Sequence, residues 1–453
     1  MVKFGTNGVR GIVNEDLTPA LALQMGKAIG KVYGGRIAIA TDTRVSADMI
    51  RSAVSAGLMS VGVDVLDLGV LPTPAIQYYV KTHDDVAGGV MITASHNPPA
   101  FNGIKCIAND GTEASRMEEE NIERLYDTDI PCVAWSEVGQ TKEVSGAAEA
   151  YVEAVMSKVD VEAIRNAGLT ACVDCANGAA FYTTPLLLSR LGVRAVTING
   201  NPQGEFPGHE SEPTADNLAD LMTMTNAIDA DIGVAHDGDA DRCVFVTSDG
   251  EYVPGDKSLA LIARNILSMR EGGKVYTPVA TSMLVEDVVK ANGGQLIYTA
   301  VGSPIVARKM MDGDGVFGGE ENGGLIFPEM QYCRDGAMAL ATMLESIVKH
   351  GPLSRQVADL PVYCTCKEKI KCPDRFKEDL KEYFRSTASD AKVDLTDGIR
   401  LNYADGWVLL RPSGTEPIFR VYSESRNPDV AKARAQDFVD KANAFVASKE
   451  NEA

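Results

Sequence analysis

In Val86-Ala87-Gly88-Gly89-Val90-Met91-Ile92-Thr93-Ala94-Ser95-His96-Asn97-Pro98-Pro99, an apolar run of β character feeds a polar loop that Pro98-Pro99 keeps from turning into helix. Ser95 is therefore expected on a loop at a strand end, its hydroxyl presented rather than packed. Upstream, β-like runs at Arg36 to Ala40 and Val63 to Leu68 alternate with helical stretches at Thr18 to Tyr33 and Ser46 to Gly62. Thr18-Pro19 supplies a cap and first-turn proline for the first helix. Such alternation predicts a mainly parallel α/β layer structure, in which ligand loops gather at strand ends. A Ser-His pair also occurs in ordinary polar turns, so its weight depends on the islands downstream.

Asp237-Gly238-Asp239-Ala240-Asp241-Arg242 lies between the run Asp231 to Ala235 and the strand-like Cys243 to Thr247. Carboxylates at every second position, spaced by Gly and Ala, converge on one hard cation when the loop curls around it. An acidic surface turn is the alternative, but it gives no reason for buried-looking strands on both sides. An EF-hand is excluded: its loop needs Gly where Arg242 stands and Glu where Ser248 stands.

Two more islands follow. In Gly319-Glu320-Glu321-Asn322-Gly323-Gly324 a carboxylate and an amide offer the acceptors and donors that suit a hexose, although an acidic hairpin turn reads the same way. Arg411-Pro412-Ser413-Gly414-Thr415-Glu416-Pro417 puts a guanidinium, two hydroxyls and flexible backbone N–H groups into one loop, the groups a phosphate dianion needs. A polar turn between strands is its bland counterpart.

At 453 residues the chain is long enough for three or four domains. The rhythm divides it at 1–145, 146–247, 248–351 and 352–453, with the third unit opening on a hairpin at Asp249-Gly250. The first three share one helix-strand rhythm. The last places consecutive strands between helices and reads as an α+β lid. A net charge of −20 argues against nucleic acid and anionic membrane as partners, so an anionic substrate must meet a locally basic pocket. Arg10, Arg44, Lys105, Arg242, Arg411 and Arg420 sit in or beside the islands. Met1-Val2-Lys3-Phe4 lacks a signal-peptide core and no apolar run spans a membrane, so a cytoplasmic protein is expected. Nine scattered cysteines form no disulfide framework; Cys172 and Cys175 read as buried thiols, and Cys364, Cys366 and Cys372 lack a fourth ligand for a metal. His209, in the loop Phe206 to Pro213, reads equally as structural or functional.

With Asn102-Gly103-Ile104-Lys105 and the opening Phe4-Gly5-Thr6-Asn7-Gly8-Val9-Arg10-Gly11, these islands occur in an order that resembles the α-D-phosphohexomutases. The resemblance spans the chain and is nearest the phosphoglucosamine mutase and archaeal phosphomannomutase/phosphoglucomutase branch. It implies three similar α/β domains plus a C-terminal α+β domain around a central cleft. It also implies an isomerase moving phosphate between the 6- and 1-positions of a hexosamine through phosphoserine at Ser95. One Mg²⁺ would be held by Ser95, Asp237, Asp239 and Asp241, and a hexose 1,6-bisphosphate would prime the serine. Arg10 and Arg242 would stabilise the transferring group, His96 would orient Ser95 and Lys105 would act as general base. Glu320 and Asn322 would hold the sugar, and Arg411, Ser413, Gly414, Thr415 and Arg420 the other phosphate. The lid would hinge near residues 352–360, in a monomer or homodimer acting on a hexose or hexosamine phosphate.

Departures from the family pattern bear on sugar preference: Gly324 where many relatives have His, Asn322 for Ser, and Ser303-Pro304 where a charged residue is common. Alternatives are a phosphomannomutase/phosphoglucomutase, a metal-dependent sugar phosphatase and a sugar-phosphate-binding protein. The haloacid-dehalogenase pattern fits poorly because Asp241 occupies its Thr/Val position, and simple binding gives no reason for a triple-Asp loop.

Overall fold

Arg36–Thr41, buried at every residue but its first, is the inner strand of a six-stranded sheet. The computed structural model describes residues 3–5, 8–387, 391–413 and 416–452. Arg36–Thr41 has parallel neighbours on both sides, Asp64–Val70 and Gly88–Ile92. Beyond Gly88–Ile92 the sheet turns antiparallel through Phe101–Ile107 and Val9–Ile12. Strands covered on both faces need apolar residues throughout, which is why these runs read as continuous rather than alternating.

The next two sheets repeat that order. Thr170–Asp174 lies between parallel Arg194–Ile198 and Ile232–His236, followed by antiparallel Cys243–Thr247 and Tyr252–Val253. Gly273–Pro278 lies between parallel Gly294–Thr299 and Gly315–Gly319, followed by antiparallel Leu325–Phe327 and Gln331–Arg334. In each sheet the chain passes from a parallel strand to its antiparallel neighbour through one loop, and those loops carry Ser95, the Asp237–Asp241 triad and Glu320. A shared topology thus puts three chemically different loops at equivalent places, where the strand direction reverses.

The fourth sheet is antiparallel throughout, in the order Cys364–Lys371, Ile418–Ser425, Gly406–Pro412, Ile399–Tyr403, Lys392–Asp394. Helices Lys377–Thr387 and Pro428–Glu452 accompany it. Its core around Phe384, Phe419 and Val421 is separate, whereas one continuous apolar cluster runs from Ala38 to Leu360 through the first three sheets.

Three expectations need correcting. The hairpin at Asp249-Gly250 pairs Cys243–Thr247 with Tyr252–Val253, so it closes the second sheet instead of opening the third unit. Residues 352–360 are no hinge: Leu353–Ala358 is helical, Leu353 and Leu360 are buried in the shared core, and Gln356 bonds to Gly351, Ser346 and Arg264. Ser95 is less open than expected: it lines a cavity but is only 1% exposed, its hydroxyl bonded to Asp237 on the loop that faces it. Periodicity reports which residues are apolar, and none of these three outcomes depends on that alone.

Candidate active site

Ser95 follows Gly88–Ile92 in the left-handed region, φ 52°, a conformation that a non-glycine residue keeps only when its surroundings enforce it. The enforcement comes from Arg44. Its guanidinium donates to the carbonyls of Ser95 (2.8 Å), Asn97 (2.6 Å), Pro98 (2.7 Å) and Phe101 (2.8 Å). Nε bonds to Asp42 at 3.1 Å, and Asp42 in turn accepts from the Thr93 hydroxyl at 2.6 Å. The Asp42-Thr43-Arg44 segment is therefore a clamp on the Ser95 loop.

Facing it, the Ser95 hydroxyl donates to Asp237 Oδ2 at 2.7 Å. Asp237, Asp239 and Asp241 are buried, each with a carboxylate oxygen within 4.8 Å of the others. Asp239 Oδ2 accepts from Thr73 Oγ1 and Lys105 Nζ, each at 2.5 Å, and Asp241 Oδ2 from Arg334 Nη2 at 2.5 Å. Asp239 Oδ1 and Asp241 Oδ1 are buried without a hydrogen-bond partner, an arrangement costly for an anion unless something else meets it. Two orphaned carboxylate oxygens converging beside a third carboxylate fit a hard divalent cation. Burial pushes the Asp237 and Asp241 carboxyls up; burial acts the same way on Asp239, but Lys105 and Thr73 outweigh it and hold that carboxyl well below its usual range.

Cations ring the triad. Arg242 reaches Asp237 Oδ2 through Nε (3.1 Å) and Glu212 through Nη1 (2.8 Å), leaving Nη2 buried without a partner. Arg10 Nη1 donates to Asn97 Oδ1 (2.9 Å) and the Ala94 carbonyl (3.3 Å). His96 Nδ1 lies 3.3 Å from the Ser95 hydroxyl and Nε2 3.4 Å from Glu212. Partial burial, reinforced by Arg242, pulls the imidazole down to about 4, so it is neutral at neutral pH. His209 bonds to Asp174 at 3.1 Å, anchoring its own loop.

A cavity of about 440 Å³ opens here, lined by Arg10, Ser95, His96, Glu320, Asn322 and Arg334 among others. Glu320 accepts from the Gly302 N–H at 3.2 Å, and burial pushes its carboxyl up; Asn322 is exposed and accepts from the Gly324 N–H at 3.0 Å. Arg411 and Arg420 on the fourth sheet, and Ser413 just after its strand, are not among the residues that line this cavity; Gly414 and Thr415 lie outside the described residues. Arg420 faces Glu416 at 3.6 Å, and the Ser413 carbonyl accepts from Lys377 Nζ at 2.6 Å.

Arg334 is the residue that sequence reasoning missed. Nine-tenths buried at the cavity wall, it lies between Asp241 and Glu320 (Nη1 to Oε2, 3.9 Å), and its Nε is buried without a partner. A Cβ on Gly324 would meet Arg334 Cδ at 2.3 Å, so the glycine leaves room for the arginine stem. Gly323-Gly324 was the available sign that something approaches closely. Thr73 and Glu212 carried no such sign.

Comparison with known proteins shows the family. Four families match in succession: phosphoglucomutase/phosphomannomutase alpha/beta/alpha domain I over residues 1–130, domain II over 149–250, domain III over 254–363 and the C-terminal domain over 362–442. The chain belongs to the phosphoglucomutase/phosphomannomutase family. As a phosphohexomutase it is an isomerase. A probable phosphoglucosamine mutase of Methanopyrus kandleri is 42% identical over 96% of this chain and 97% of its own length. A phosphoglucomutase/phosphomannomutase of Thermococcus kodakarensis is also 42% identical, over 95% and 96%. A crystal structure of a phosphoglucomutase/phosphomannomutase family protein from Burkholderia thailandensis superposes with a TM-score of 0.87 at 27% identity, covering 98% of this chain and 97% of that one. Among the described residues no helix is long and apolar enough to cross a membrane.

Proposed function

We propose that this phosphohexomutase interconverts glucosamine-6-phosphate and glucosamine-1-phosphate through phosphoserine at Ser95. The observation that carries the reading is the Ser95 hydroxyl, 2.7 Å from Asp237 of the buried triad, on a cavity that also holds Glu320. In the first half-reaction the bond from phosphorus to Ser95 Oγ breaks as one forms to the sugar's 1-hydroxyl. The hydroxyl proton leaves to a base, and Ser95 Oγ regains a proton. The product is hexosamine 1,6-bisphosphate. After the bisphosphate turns end for end, its 6-phosphoryl group passes to Ser95 and glucosamine-1-phosphate departs.

Asp237, Asp239, Asp241 and the phosphorylated Ser95 would hold Mg²⁺, which supplies neutralisation of the moving charge. Arg242, with its unpartnered Nη2, and Arg10 meet the transferring group from the protein side. His96, neutral at working pH, orients Ser95 and its phosphate. Lys105 is the candidate base: its Nζ is tied to Asp239, and it can act only once that carboxylate is engaged elsewhere. Glu320 and Asn322 bind sugar hydroxyls, and Arg411, Ser413, Gly414, Thr415 and Arg420 the non-reacting phosphate.

A second reading, glucose and mannose phosphates as substrates, draws support from the Thermococcus kodakarensis relative, equal in identity to the glucosamine one. The test is mass spectrometry of Ser95 with a Mg²⁺-dependent assay on glucosamine-6-phosphate, glucose-1-phosphate and mannose-1-phosphate, for wild type and Ser95→Ala. Phosphoserine, with glucosamine phosphate turned over fastest and activity lost in the variant, is expected. Preference for glucose or mannose phosphate would move the substrate to the second reading. Full activity in Ser95→Ala would overturn the phosphoserine.

A further inference from the structure

Two adjacent backbone amides at the edge of the cavity point to different domains. The Gly302 N–H is held by Glu320 of its own domain at 3.2 Å, and the Val301 N–H by Asp397 of the fourth domain at 3.0 Å. The same Asp397 Oδ2 lies 2.9 Å from Arg411 Nε. That contact is an ion pair without an aligned hydrogen bond, since Nε has no hydrogen-bond partner. Charge therefore orients the guanidinium without locking it.

The turn that delivers Asp397 is specific. Gly398 has φ 73°, and a Cβ there would meet the Leu410 carbonyl at 2.4 Å and Arg411 Cα at 3.2 Å, so glycine alone lets the chain fold back against Arg411. The fourth domain is seated by other contacts besides Asp397. Arg400 donates to the Val279 carbonyl at 2.8 Å and packs over Tyr298, and Glu424 accepts from the Met283 N–H at 2.8 Å beside buried Trp407.

We propose that Asp397 is a positioning residue that couples phosphate capture to sugar recognition. It aims Arg411 and, through the Val301-Gly302 backbone, registers that guanidinium against Glu320. The inference rests on the mutase reading, in which Arg411 grips the non-reacting phosphate and Glu320 the sugar. Asparagine at 397 keeps an acceptor for the Val301 N–H but loses the charge on Arg411; alanine loses both.

The test is steady-state kinetics and thermal unfolding of Asp397→Asn, Asp397→Ala, Arg411→Ala and the Asp397→Asn/Arg411→Ala double variant, with glucosamine-6-phosphate and glucose-1-phosphate. Asp397→Asn should raise KM roughly tenfold with little change in kcat or melting temperature, and add less than about twofold once Arg411 is already alanine. Multiplicative effects in the double variant, or unchanged KM in Asp397→Asn, would overturn the inference while leaving the mutase reading intact. Absence of isomerisation by wild type on every hexose phosphate tried would overturn both.

Discussion

Replacing Arg44 by methionine tests whether the Ser95 loop owes its shape to one side chain. Arg44 is 2% exposed, and five of its bonds would be lost, one to Asp42 and four to loop carbonyls. At about 1 kcal/mol net per bond the loss is about 5 kcal/mol, comparable to the whole stability of many domains. The variant also strips Asp42, which is fully buried and whose carboxyl burial already pushes up, of its cation. A carboxyl with a raised folded pKa weakens the fold as pH rises through the interval between its unfolded and folded values. Losing Arg44 widens that interval, so the deficit of Arg44→Met should be larger at pH 7.5 than at pH 5. Arg44→Met/Asp42→Asn should recover part of it. The measurement is amide hydrogen exchange across residues 93–101 at both pH values, with kcat alongside. Exchange and kcat like those of wild type would refute the clamp. Arg44→Lys, which keeps the charge but not the fork of donors, should fall between the two.

Arg334→Met should lower kcat/KM by about a hundredfold, as expected when a preorganised, largely buried cation is removed from an active site. It should also tighten Mg²⁺ binding by calorimetry, because Asp241 loses the guanidinium at 2.5 Å that competes for it; weaker binding would contradict that competition. Asp256, beside Glu321, is pushed up to about 7 by burial. Its folded value exceeds the unfolded one, so it removes stability as pH rises from about 4 to 7, by at most about 4 kcal/mol, with no further change above. Asp256→Asn should therefore be stabilised most at pH 8 and not at all near pH 3.5, as read by denaturant unfolding across pH; a pH-independent difference would contradict the assignment.

Sequence alone determined the layered α/β class, the division into three like units and a different fourth, and the four islands. It could do so because apolar runs, proline positions and repeated carboxylates are local facts with few physical readings. Tertiary structure decided what those islands face. Ser95 meets Asp237 across 142 positions of chain, Lys105 meets Asp239 across 134, and Arg334 meets Asp241 across 93. Distances like these follow from the repeated strand order that puts each loop where a sheet reverses direction, and no window of sequence contains that order. Arg44 gave no sign of what it holds, and Arg334 stood outside every motif, because most of the partners of both lie on loops distant in sequence. The hinge misplaced at 352–360 has the same cause. Whether a segment bends depends on what packs over it, and the core that holds Leu353 and Leu360 draws on residues from all three leading domains.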